Sequence, residues 1–140
     1  MKKIDILEIY KKEGKTPGAI ERLGIKEACI DDNGDFALLL DVDESHYNIH
    51  GSVHGGIMYS ICIEAVGLYF SYTDRPGIGM DGNIHYYRPA FSGDTLKAIV
   101  RERKVGRRTG VYAVELYNQQ EKLVADAMIS IMYTEVAPRS

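Results

Sequence analysis

The chain has no tryptophan, and only two cysteines, three phenylalanines and four prolines occur among its 140 residues. Two cysteines, Cys29 and Cys62, make neither a disulfide framework nor a zinc-ligand spacing, so the fold is expected to hold without cross-links, in a reducing cytoplasm. No apolar run reaches the ~20 residues that a helix needs to span a bilayer. The longest, 57–70, is interrupted by Glu64, and the basic start Met1-Lys2-Lys3 runs into Asp5 and Glu8 where a signal peptide would be apolar. Neither sign of charge dominates: 17 Lys and Arg against 20 Asp and Glu leave −3, which gives no overall field for nucleic acid. There is no G-x-S-x-G elbow, no P-loop and no dinucleotide-type glycine loop, so serine-hydrolase, nucleotidase and dehydrogenase chemistry have no support.

What is present is an ordinary globular balance, 45% apolar and 26% charged, in a length that suits one domain over 1–140. Ten tyrosines are the one compositional skew; each brings a large apolar ring and a hydroxyl that needs a partner, which suits a ligand cavity or a core. Residues 3–13 have helical spacing of Ile6, Leu7, Ile9 and Tyr10, and a second helix is expected from the cap Thr16 and Pro17 to the stop Gly24. These form an N-terminal helical segment, 1–24. The core, 25–135, opens with a hairpin, 25–30 and 36–42 around Asn33-Gly34. A polar loop leads to a helix over 54–72 that is apolar nearly all round and so must be wrapped by other structure. Strands are expected at 80–87, 95–105, 109–118 and 122–135, antiparallel because their connections are short. The expected class is α+β, a curved antiparallel sheet around a long central helix.

The segment Asn48-Ile49-His50-Gly51-Ser52-Val53-His54-Gly55-Gly56 places two glycines at the mouth of that helix, directly after a histidine. First-turn N–H groups are unpaired and positively polarised, and glycine lets a ligand oxygen approach them. The alternative is that the glycines serve close packing while Asn48 and His54 satisfy loop carbonyls. Glu64 is the only charged residue in the central helix, and burying a carboxylate without a partner is costly. It stands ~15 Å along the axis from the helix mouth, so a site using both would be shared across a two-fold dimer; a structural ion pair is the other reading. Six of the seventeen basic residues fall between Lys97 and Arg108. Arg107 and Arg108, in a glycine-flanked turn, have the forked donors that a phosphate requires, though such a run is also what a solvated face looks like. His46, His50 and His54 recur at spacing four, but Gly51 and Asn48 oppose the helix that would align them, so no metal site is expected.

From about Leu23 to Tyr133 the chain resembles the PaaI-like (phenylacetate-degradation) group of hotdog-fold acyl-CoA thioesterases. The resemblance rests on Asn48, Gly51, His54, Gly55 and Gly56 in the pattern Asn-x-x-Gly-x-x-His-Gly-Gly. Downstream it rests on Asn83-Ile84-His85-Tyr86-Tyr87-Arg88-Pro89-Ala90, Gly93-Asp94 and Val105-Gly106-Arg107-Arg108. It implies a hotdog fold, and hydrolysis of an acyl-CoA by a homodimer or dimer of dimers with no cofactor beyond the CoA of the substrate. Gly55 would polarise the thioester carbonyl, Asn48 and His54 would position the ester, and Gly56, Arg88, Arg107 and Arg108 would bind substrate. Nucleic acid and membrane are not expected partners. The catalytic Asp or Glu of this group stands nine residues after the motif histidine, and that position is Ile63. Glu64, one residue later and ~100° further round the helix, is the acid expected in its stead. A non-catalytic acyl-CoA binding or sensing module is the alternative that Ile63 favours; a purely structural oligomer is a third.

Overall fold

Asp5 sets the first boundary of the chain. Its backbone is extended, and its side chain accepts hydrogen bonds from the N–H groups of Leu7 (3.0 Å) and Glu8 (3.3 Å), so helix α1 begins behind it as Ile6–Lys12. The residues ahead of Asp5, expected to be helical, form instead a short strand, β1 (Lys2–Ile4). In this computed structural model, which describes residues 1–135, the elements that follow are α2 (Ala19–Leu23), β2 (Ile25–Ile30), β3 (Phe36–Asp41), a 3-10 turn (Glu44–His46), α3 (Gly55–Tyr72), β4 (Gly77–Tyr86), β5 (Thr95–Val105), β6 (Thr109–Tyr117) and β7 (Leu123–Tyr133). The expected cap at Thr16 and Pro17 is not used: α2 starts at Ala19 behind Gly18, with no side-chain cap. Its stop is the expected one, since Gly24 takes the left-handed conformation (φ +73°) that closes a helix end.

The seven strands form one antiparallel sheet in the order β1-β2-β3-β5-β6-β7-β4. The short β4–β5 connection does not pair its own strands; β4 crosses to lie beside β7, and β5 pairs with β3. Strand β4 also begins earlier than expected, at Gly77 rather than Met80. In sequence Gly77 belongs to the Asp74-Arg75-Pro76-Gly77 break after the central helix, yet in the fold it is demanded by packing: a Cβ there would stand 2.6 Å from Ile131 Cγ2. The remaining strand ends agree with expectation to within two residues.

Helix α3 lies along one face of this sheet. Met58, Ile61, Cys62, Ala65, Val66, Leu68 and Phe70 are buried with Leu38, Leu40, Leu96, Val114, Leu116, Ile129 and Ile131 of the strands in one core. Each Val, Leu, Ile, Met or Phe side chain so removed from water contributes roughly 1.5–3 kcal/mol. On its other side α3 packs against α1 and α2, with Ile9, Tyr10, Ile20 and Leu23 joining the same core. This is the wrapped central helix of a hotdog fold, in the α+β class. The wrapping is incomplete: Ile63 of α3 is 47% exposed, beside the edge strand β4, where Ile78 and Met80 are 56% and 52% exposed. Among the described residues no helix is long and apolar enough to cross a membrane.

Candidate functional site

The loop before α3 is held by its own side chains. His46 is buried; its Nδ1 accepts the Asp43 N–H (3.0 Å), which leaves the ring proton on Nε2, 2.7 Å from the Leu23 carbonyl oxygen. The loop is thereby tied to the end of α2. Asn48 Oδ1 accepts from the N–H groups of His50 (2.8 Å) and Ser52 (3.3 Å), and Nδ2 donates to Ser52 Oγ (3.4 Å). Asn48 is thus a turn-former whose amide is engaged within its loop. The Val53 N–H donates to Ala90 (2.9 Å) and the His54 N–H to His46 (2.8 Å), seating the loop on the segment that follows β4.

His54 is the N-cap of α3. Its Nδ1 accepts the Gly56 N–H at 2.9 Å, so the neutral ring carries its proton on Nε2. A Cβ on Gly56 would stand 3.0 Å from that ring, which gives Gly56 a packing reason as well. Among the described residues no hydrogen-bond partner accepts the Gly55 N–H, the first amide of the helix. The Gly55 carbonyl oxygen accepts from Tyr86 Oη (2.7 Å), whose ring lies so close that a Cβ on Gly55 would meet it at 2.9 Å. Tyr86 Oη–H, the Gly55–Gly56 peptide and His54 Nδ1 make one continuous chain of donors and acceptors. Burial pushes the Tyr86 phenol above its ordinary value, so it remains a donor at neutral pH.

Gly55 and Tyr86 line an open cleft of 350 Å³ with Asn48, Ser52, Val53, Met58, Tyr87, Arg88 and Pro89; His54 and Gly56, also expected at the site, adjoin it through the cap and are not among its lining residues. Asn48, Gly55 and Arg88, singled out in sequence, meet there; Tyr86 joins them unforeseen. The cleft offers a helix-terminal amide with no acceptor among the described residues, a guanidinium and two phenols, with apolar walls from Val53 and Met58. It contains no carboxylate. Cys62 supplies no nucleophile, because it is fully buried and its thiol is pushed up to about 12, by burial first and by Asp126 second.

The other expected site residues lie elsewhere on the chain. Glu64 is half-buried between two grooves, one of 310 Å³ with Ile9, Tyr10, Glu13 and Lys15, the other of 220 Å³ with Arg22, Ser60 and Ile63. Burial alone raises its carboxyl above the ordinary carboxylate range, with no cation holding it down. The second groove reaches the exposed Ile63 side of α3. Arg107 and Arg108 sit on the β5–β6 turn, beside the C-terminal end of α3. Tyr86 pairs with Ala125 at one end of β4 and Gly77 with Tyr133 at the other, next to that turn, so the cleft and the arginines of one chain lie ~30 Å apart along the sheet.

Comparison with known proteins agrees with this architecture. The family model described as Thioesterase superfamily matches residues 50–125. The chain is 35% identical over 94 residues to the acyl-coenzyme A thioesterase PaaI of Escherichia coli, a match spanning 67% of each chain. Among solved structures, the E. coli PaaI protein from the phenylacetic acid degradation operon superposes with a TM-score of 0.79 at 26% identity, over 95% of this chain and 99% of that one. A Streptococcus mutans protein bound to acetyl CoA superposes with a TM-score of 0.69 at 28% identity, over 75% of this chain and 85% of that one. With the family's match covering more than half of its length and running from just before the helix-mouth glycines into the last strand, the chain belongs to the thioesterase superfamily.

Proposed function

We propose that this protein hydrolyses an acyl-CoA thioester, taking up one water and releasing the free acid and CoA, at a site completed by two subunits. The observation that carries the reading is the unpartnered Gly55 amide at the start of α3, opening into a cleft in a chain of this superfamily. A thioester carbonyl placed on that amide would be polarised, and the oxyanion that forms when water adds would be stabilised by the same N–H and the helix dipole. Collapse of that intermediate expels the CoA sulfur, which leaves as the thiol after taking a proton. The likeness to an E. coli acyl-coenzyme A thioesterase and to a protein binding acetyl CoA supports the substrate class. The reaction draws on no cofactor apart from the CoA carried by the substrate.

Shared geometry follows from the edge strand. With two β4 strands paired antiparallel about a two-fold axis, the Gly77 end of one meets the Tyr86 end of the other. Each cleft then faces the partner's β5–β6 turn, where Arg107 and Arg108 would take the CoA phosphates, and the exposed side of the partner's α3, where Glu64 would activate the water. Exposed Ile63, Ile78 and Met80 favour such burial against a second copy. The protein is therefore expected to sediment as a dimer or dimer of dimers at micromolar concentration; a stable monomer would remove the shared site.

The cleft without a carboxylate and Ile63 at the usual acid position favour a second reading, an acyl-CoA binding module without turnover. A panel of acyl-CoA thioesters assayed for thiol release, beside calorimetric CoA binding, separates the two. Release of CoA from at least one member supports hydrolysis, binding without release selects the second reading, and neither would overturn both.

A further inference from the structure

The side chain of Arg75 ties the turn carrying Arg107 and Arg108 to the segment that follows α3. Arg75 follows α3, with its N–H on the Phe70 carbonyl oxygen at 2.9 Å. From there its guanidinium crosses to the β5–β6 turn, where Nη2 donates to the carbonyl oxygens of Gly106 and of Arg107 (3.1 Å). The same guanidinium lies 3.5 Å from the ring centroid of Tyr133, a stacking geometry that only a planar cation makes well. Tyr133 is itself fixed: its N–H donates to the Arg108 carbonyl oxygen at 2.9 Å, and its hydroxyl meets that of Tyr112 in the core.

We infer that Arg75 is a positioning residue for phosphate recognition, resting on the reading above in which Arg107 and Arg108 hold the CoA phosphates. Two consecutive turn carbonyls drawn onto Arg75 have their negative ends turned toward a cation and away from solvent, which removes the repulsion they would exert on a phosphate. The turn is also stiffened, so less ordering is left to occur when a phosphate binds. The charge of Arg75 adds to the local field, but its Nη2 donors are used on the backbone. A lysine would keep the charge and lose the flat stack on Tyr133 that fixes Nη2 between the two carbonyls.

The test is a set of dissociation constants for CoA and for pantetheine, which lacks the nucleotide and its phosphates, on the full-length protein. Measured by calorimetry and NMR titration, Arg75→Ala and Arg75→Lys should each weaken CoA about tenfold and leave pantetheine unchanged. In an Arg107→Ala/Arg108→Ala background, which weakens CoA by itself and flattens its salt dependence, Arg75→Ala should add little, because the side chains it positions are gone. Equal weakening of CoA and pantetheine would overturn the inference in favour of a general structural role, as would full additivity with the double variant. Unchanged CoA affinity in Arg75→Ala, with the double variant weakened, would sink the positioning role alone. An unchanged double variant would instead sink the phosphate assignment beneath it.

Discussion

Gly55→Ala is expected to lower acyl-CoA turnover by about 10²–10³ while leaving the protein folded. The backbone at 55 is not in the left-handed region, so alanine can take the helical conformation without strain. The difficulty is lateral, since the new Cβ would stand 2.9 Å from Tyr86 Cζ and Oη, closer than real Cβ contacts come. Tyr86 is 51% exposed, so its ring can swing outward at small cost to the core. That movement breaks its 2.7 Å hydrogen bond to the Gly55 carbonyl oxygen and pushes the ring into the cleft, over the amide that the thioester oxygen must reach. Tyr86→Phe separates the two consequences. It keeps the ring in place and loses one hydrogen bond, worth about 1 kcal/mol, so its turnover should fall less than about tenfold. Steady-state kinetics beside circular dichroism would check this, and Gly55→Ala turning over within threefold of wild type would show that the displaced Tyr86 ring does not cover the amide.

The sequence was most readable where one residue settles the local conformation. Gly24 ends α2 as expected, and Asn33-Gly34 turns the first hairpin with Gly34 at φ +82°. The helix-mouth motif is where it was expected to be, because His54 and the two glycines are sufficient to define a cap. Strand β4 was legible only in part, for a physical reason. Gly77 and Gly82 both face the helix, against Phe70 and Tyr59, yet they are an odd number of residues apart. The irregularity between Gly79 and Asp81 inserts one residue and reverses the alternation. Counting by twos from Gly77 would put Tyr86 on the outer face, whereas the bulge turns it in, onto Gly55. The sequence signal for it was the run of glycines, which reads equally as a break. Glu64 is the opposite case: its identity was plain, but the groove it enters depends on α1 and α2 folding back over α3. No local pattern encodes such long-range packing.

Glu64→Gln is expected to make the protein more stable and about 10² slower. The groups facing Glu64 are Tyr10, Glu13 and Lys15 from the α1 side and Arg22 from α2, and none of them forms an ion pair with it among the described residues. Burial therefore acts uncompensated, raising the carboxyl above its ordinary 4.5, and the same charge pushes the Tyr10 phenol up, after the effect of that phenol's own burial. A folded-state pKa above the unfolded one means that the folded chain holds its proton longer. The stabilisation is complete below the unfolded pKa and is lost as pH rises through the folded one. Glutamine has no proton to lose, so the variant should melt higher than wild type at pH 7–8, with the gap closing toward pH 4. Turnover should move the other way, because a carboxyl with a raised pKa is a better proton acceptor when ionised, and kcat/KM of the wild type should climb with pH through that pKa. In Glu64→Gln that limb should vanish while CoA binding is kept. Thermal melts across pH, paired with rate profiles, test both halves. A variant as fast as wild type would exclude Glu64 as the base even if the stability gain appeared, leaving its charge as a cost of the α1 and α2 packing alone.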